Sequence, residues 1–224
     1  MSRAERVEQE CWKCGRRTGA ALVCPRCAAI QPLPAAVDLF EVLGLPRRLE
    51  VDAAELERRY HAASRAVHPD RHQTAGERDR EFSLAASAAV NRAYRTLRDP
   101  VARGRYWLEL HGTTLAERNQ QVPAALVAQV FETQETLAAL RAAGSGPEAE
   151  RLRGDVIGLR DGLAARLRAL RDALESAYAG SDGVGPKALD ELKRRLSEIG
   201  YLRTLLGDIE ETIGEGPRGT DHRH

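Results

Sequence analysis

Aromatic residues make up only 4% of this 224-residue chain, and methionine occurs once. That scarcity opposes a β-sandwich, whose strands draw on aromatic and β-branched side chains. No run of about 18 apolar residues occurs, which excludes a membrane-spanning helix from the expectation. The start, MSRAERVEQE, has no apolar stretch of the secretory kind, and its three glutamates oppose an organelle transit peptide. A cytoplasmic protein is expected. A charge excess is missing too: 34 basic and 33 acidic residues leave +1 at pH 7. They interleave along the chain, so no global field draws it onto nucleic acid or an anionic membrane. A Gly-rich phosphate loop, a nucleophile elbow and an H-E-x-x-H pair are all absent, so nothing in the sequence points to an enzyme.

What is present is a globular balance, with 42% hydrophobic and 30% charged residues. Ala, Leu, Arg and Glu dominate from about Asp52 to Ile213, the composition of long helices. Composition shifts at IQPLPAA and ELHGTTLAERNQQVP divide the chain into a Cys-rich head (1–34), a middle segment (35–112) and a helical tail (113–213). The polar end GEGPRGTDHRH (214–224) reads as a disordered terminus.

All four cysteines fall in the head, as Cys11-Trp-Lys-Cys14 and Cys24-Pro-Arg-Cys27. Two residues between cysteines let both thiolates of a tight turn face one ion, and two such turns complete a tetrahedron of soft ligands suited to Zn²⁺. A closed Cys₄ shell leaves no position for water, so the metal is expected to be structural, in a segment too small to fold on a core of its own. Iron held by the same four sulfurs is the alternative.

In the middle segment, VDLFEVLGLP reads as a short helix capped by Asp38 and stopped by Gly44 and Pro46. A second helix follows Asp52, with Leu56, Tyr60, Ala63 and Val67 on one face and Arg58, Arg59 and Arg65 elsewhere. Pro69 disfavours helix at the residue before it, so this helix ends near His68. A third, from about Glu77 to Arg98, carries Phe82, Ala86, Ala89, Val90, Ala93, Tyr94 and Leu97 on one stripe, and Pro100 closes it. Between the two long helices lies SRAVHPDRHQ. His68, Asp70 and His72 are chemically able to act as acid, base or metal ligands. Their place at the tip of a helical hairpin favours contact with another protein over a substrate pocket. His61, His72 and His111 read as solvated or packing residues.

The tail splits into three helical stretches, with GSGP and GSDGVGP supplying Gly at the ends and Pro at the next first turn. A three-helix antiparallel bundle is expected. Gly154, Gly158 and Gly162 recur every four residues, a spacing that suggests close helix contact. The fold expected is therefore all-α: a zinc-ribbon-like knuckle, a helical hairpin and the bundle.

The short helix, the Arg-bearing helix ending in His68-Pro69-Asp70 and the third helix with NRAYRTLRDP together resemble a J domain of the DnaJ class. More narrowly, LFEVLGLP, YHAASRAVHPDRH, AVNRAYRTLRDPVARGRYWLELHG and the helical tail resemble the HscB co-chaperones of iron-sulfur cluster assembly, some of which carry a paired-cysteine head. The resemblance implies a non-enzymatic function, with two partners. His68, Pro69 and Asp70, by motif, and Arg58, Arg59, Arg65 and Arg71, by position and sign, would dock on a DnaK/HscA-type ATP-dependent chaperone and promote its ATP hydrolysis. Val127, Ala128, Phe131, Glu132, Glu135 and Tyr201 would form the face that binds an IscU-type iron-sulfur scaffold. Ala128 and Phe131 depart from the family's usual aliphatics, and the alternative for Phe131 and Tyr201 is a place in the core of their own bundle. No nucleic-acid or membrane partner is implied. The other reading is a zinc-ribbon adaptor that binds nucleic acid or transcription machinery, with the helices as an oligomerisation bundle.

Overall fold

The structure is a computed structural model, which describes residues 10–19, 21–34, 37–72, 76–113, 115, 126–180 and 184–214. Most of the expected break after Gly112, and the expected disordered terminus beyond Gly214, lie outside the described residues. Within them the chain is all-α. Seven α-helices occur in order: α1 (Leu39–Val42), α2 (Ala53–Val67), α3 (Glu77–Arg98), α4 (Pro100–Leu110), α5 (Val127–Ala142), α6 (Pro147–Tyr178) and α7 (Pro186–Ile213). The chain forms two compact units, Met1–Tyr106 and Trp107–His224.

In the first unit, α1 starts where Asp38 accepts from the Phe40 amide at 2.9 Å. The same buried carboxylate accepts from the Tyr106 hydroxyl at 3.0 Å and from the Arg47 guanidinium. Tyr106 in turn accepts from the Leu39 amide at 2.9 Å, so one phenol ties the start of α1 to the far end of its unit. Burial, then the Asp38 charge, pushes the Tyr106 hydroxyl up to about 12, which keeps it a donor.

The hairpin of α2 and α3 follows the apolar periodicity. Leu56 and Val67 of α2 and Ala86, Val90, Ala93 and Leu97 of α3 are buried. Each fully buried Val or Leu contributes about 1.5–3 kcal/mol. Tyr60 is half-buried: its ring stacks on Tyr94 at 4.1 Å between centroids, and its hydroxyl donates to Asn91 Oδ1 at 3.0 Å. Phe82 leaves the stripe and meets the head instead. Pro100 ends α3, as its missing N–H predicts, and also opens α4, which the sequence reading did not anticipate. Asp99 Oδ1 caps this helix by accepting from Val101 and Ala102 at 2.8 and 3.0 Å.

In the second unit α5, α6 and α7 pack on one another around Leu126, Leu137, Val156, Leu163, Leu202, Leu205, Ile209 and Ile213. Pro147 and Pro186 sit in the first turns of α6 and α7. Gln134 meets Asp208 and Arg141 meets Thr212, so α5 and α7 run in the same direction, as an up-down-up bundle requires. Between them Arg166 of α6 donates to Gln129 Oε1 of α5 at 2.8 Å and to Glu198 Oε1 of α7 at 2.7 Å, linking all three helices. The glycine repeat does not act as expected. Nothing lies within 4 Å of where a Cβ would stand at Gly154, Gly158 or Gly162, so these glycines make no close helix contact. They floor an open groove of about 800 Å³ between α5 and α6.

Candidate functional site

The head consists of two turns of one design. In the first, the Gly15 amide returns to the Cys11 carbonyl at 2.9 Å, with Gly15 in the left-handed region at φ 69°. In the second, the Ala28 amide returns to the Cys24 carbonyl at 2.9 Å, with Ala28 at φ 55°. Isolated antiparallel bridges, Glu10 to Arg17 and Val23 to Ile30, close the two turns. The result brings all four Sγ atoms within 4.8 Å of one another.

Cys11 and Cys27 sulfurs are 3.6 Å apart, and those of Cys14 and Cys24 are 3.7 Å apart. A tetrahedral ion with Zn–S bonds of about 2.3 Å separates its sulfurs by about 3.8 Å, so the donor set fits such an ion. Burial opposes ionisation of Cys11, but the amides of Cys14 and Lys13 and the neighbouring thiols outweigh it and bring the group down to about 6. For Cys24 too, burial is outweighed, here chiefly by the amides of Cys27 and Arg26, and the group is lowered. At Cys27 the Ala29 amide favours the thiolate, but burial and the other three sulfurs push the thiol up to about 12. Four adjacent sulfurs cannot all carry charge unaided, and a divalent cation removes that conflict.

The sequence reading missed Gln31. Its buried amide donates to Cys11 Sγ at 3.4 Å and to the Ala29 carbonyl at 2.7 Å, an outer-shell contact that orients a ligand sulfur. No local pattern announces it, because the contact spans twenty residues. Trp12 Nε1 donates to the Ile30 carbonyl at 2.7 Å, fixing its ring. That ring meets Phe82 edge-on at 5.7 Å, and the Arg78 guanidinium lies over it at 4.7 Å. Lys13 reaches Asp79 at 3.9 Å. Both residues between Cys11 and Cys14 therefore face the first turns of α3.

At the hairpin tip, α2 stops at Val67, His68 is extended, and Pro69–His72 form a single 3₁₀ turn. His68 and Asp70 are exposed and Pro69 is half-buried. The Asp70 amide donates to His68 Nδ1 at 3.3 Å, and Asp70 Oδ2 lies 3.6 Å from the same nitrogen. The side chains are thus organised on one another at an exposed turn. Arg58, Arg59 and Arg65 are exposed along α2. Glu55 accepts from Arg59 at 2.7 Å and from Arg58 at 2.5 Å, and these contacts hold its carboxyl below the usual range. Arg71 folds back, donating through Nη1 to the Arg65 carbonyl at 3.1 Å.

On α5, Val127, Ala128, Phe131, Glu132 and Glu135 are all exposed, Phe131 by 66%. The inward face of that helix belongs to Val130, Thr133, Leu137 and Leu140 instead. Glu132 and Glu135 line the glycine-floored groove. Tyr201 is half-buried on α7 and packs against the bundle core. Among the described residues no helix is long and apolar enough to cross a membrane.

Residues 38–106 match the DnaJ domain model. Over 208 residues the chain is 30% identical to the iron-sulfur cluster co-chaperone protein HscB of Homo sapiens, covering 91% of this chain and 80% of that one. It is 34% identical over 165 residues to a co-chaperone protein HscB homolog of Burkholderia multivorans, covering 72% of this chain and 91% of the relative. The crystal structure of human co-chaperone protein HscB matches with a TM-score of 0.68 at 28% identity, over 92% of this chain and 98% of that one. Chaperone HscB from Vibrio cholerae matches with a TM-score of 0.52, also at 28% identity, over 79% of this chain and 99% of that one.

Proposed function

Since the chain belongs to the HscB family of J-domain co-chaperones, and is therefore a regulator rather than a catalyst, we propose that it stimulates the ATPase of a DnaK/HscA-type chaperone and delivers an IscU-type iron-sulfur scaffold to it. The observation that carries this reading is the exposed His68–Pro69–Asp70 turn at the end of a helix bearing Arg58, Arg59 and Arg65. Asp70, exposed at the turn beside His68, would accept a charge-assisted bond from a partner arginine, while the helix arginines and Arg71 complement an acidic surface. The reaction takes place in the partner, so this chain needs no pocket of its own.

The scaffold is held by the exposed apolar and acidic face of α5, Val127, Ala128, Phe131, Glu132 and Glu135, with Tyr201 of α7. Phe131, 66% exposed, and Val127, 39% exposed, support this, because they put two large apolar side chains on the outward face of one helix beside Glu132 and Glu135. Cys11, Cys14, Cys24 and Cys27 hold a structural Zn²⁺, which cross-links the two turns of the head. Reduced thiols suit a cytoplasmic setting. The adaptor reading loses support from the head itself, since the Trp12 ring that would stack on bases is engaged with Phe82 and Arg78.

The test is a steady-state ATPase titration of a DnaK/HscA-type chaperone with the full chain. Asp70→Asn or His68→Gln is expected to abolish stimulation, leaving helix content and scaffold affinity unchanged. Full stimulation by Asp70→Asn would sink the proposal.

A further inference from the structure

Ser83 and Ser87, one turn apart on α3, both donate to the Val67 carbonyl, at 2.7 and 3.1 Å. A helix that continued past Val67 would offer this oxygen the Arg71 amide. Here that amide donates to the His68 carbonyl instead, at 3.0 Å, because the chain turns at Pro69. Val67 and Ser83 are wholly buried, so the oxygen stands where water does not reach and depends on partners from outside its own helix. A serine inside a helix can bond back to its own chain four residues earlier, as Ser176 does to the Asp172 carbonyl at 2.9 Å. These two reach across to α2.

The contact bears on the turn through covalent geometry. The Val67 carbonyl lies in one rigid peptide plane with the nitrogen and Cα of His68. Pro69 then locks its own φ. Holding that oxygen from α3 therefore sets the direction in which His68–Pro69–Asp70 leaves α2. We propose that Ser83 and Ser87 are positioning residues for this turn, fixing how it is presented to the chaperone without touching the chaperone themselves. The proposal rests on the co-chaperone reading above for its functional consequence, though not for its structural one. Space alone would be filled by alanine, so the hydroxyls are required only by the carbonyl.

The test uses the full chain in two measurements: the ATPase titration and amide hydrogen exchange. In Ser83→Ala/Ser87→Ala the correctly set turn becomes a minor population. The half-maximal concentration is expected to rise about tenfold at unchanged maximal stimulation, since apparent affinity scales with the competent fraction. The amides of Asp70 and Arg71 should exchange at least about tenfold faster, because the open population goes from the minor to the major one. Helix content should not change. Ser83→Ala/Ser87→Thr restores one hydroxyl and should recover most of both effects. With a stimulating wild type, an unshifted titration or no recovery by threonine overturns the proposal. A wild type that fails to stimulate overturns the co-chaperone reading instead. The exchange measurement then decides alone, and equal protection in wild type and double variant rejects the positioning role. If the double variant does not fold, Ser87→Ala, which loses a half-buried hydroxyl, must shift both readouts in the same direction; no shift again rejects it.

Discussion

At the hairpin tip, each residue of the candidate docking turn is held by backbone geometry: Pro69 restricts the chain, His68 and Asp70 organise one another, and the peptide before them is gripped from α3. On α5 the candidate residues stand on an uninterrupted helix, and nothing in the backbone distinguishes Phe131, exposed, from Leu137, buried. The first surface is a conformation. The second is a choice of which way a regular helix faces. A turn of this kind is sensitive to distant hydrogen bonds, whereas a helix face responds chiefly to the side chains on it.

The largest effect is expected at the head, which like the hairpin tip is a set of turns and not a regular helix. Removing metal with a chelator, or replacing Cys24 with Ser, should unfold the head completely, because binding energy of about 10–16 kcal/mol is typical of small structural zinc sites. Trp12 emission should shift to the red and metal analysis should fall below about one equivalent, since the ion and the fold stand together. The tail should keep its helix content. Retention of native Trp12 emission without metal would show that the head folds on other contacts.

The tail is tested at its cross-helix link. Glu198→Ala leaves Arg166 without its carboxylate and should cost about 2 kcal/mol, less than the 3–5 of a fully buried pair. The discount follows from the Arg166 side chain, which is 33% exposed while that of Glu198 is 9% exposed. Urea denaturation of the tail checks this, and ATPase stimulation should not change.

A smaller effect is expected on the helix face. Phe131→Ala should weaken scaffold binding about tenfold, or about 1.4 kcal/mol, with no loss of stability because the ring is not in the core. Calorimetric titration measures it, and unchanged affinity would move the scaffold surface elsewhere. Smallest is Ala28→Gly. Glycine relieves the left-handed strain at φ 55° but loosens the unfolded chain, so the gain in head stability should stay under about 1 kcal/mol. Thermal melting followed by Trp12 emission reads it.

Much of this was legible in the residues. The two C-x-x-C pairs announced the sulfur cluster, and Pro69 announced the end of α2, because both signals act within a few residues. α4 was missed although its signal was present: Asp99-Pro100 is a cap followed by a first-turn proline as well as a stop. The glycine repeat was misread, since spacing on one helix does not say whether a neighbour approaches that face. Gln31, Ser83 and Ser87 carried no sign at all. A lone polar residue gains its meaning from the atom it reaches, and those atoms lie 16 to 20 residues away.

The long helices, the sulfur cluster and the place of the turn follow from local backbone chemistry and periodicity, and were legible without the fold. Only the tertiary structure decided which side of α5 turns outward, that the first cysteine turn rests on α3, and that two serines hold the peptide before His68. These are contacts between segments far apart in the chain, and they exist only once packing has chosen which faces meet.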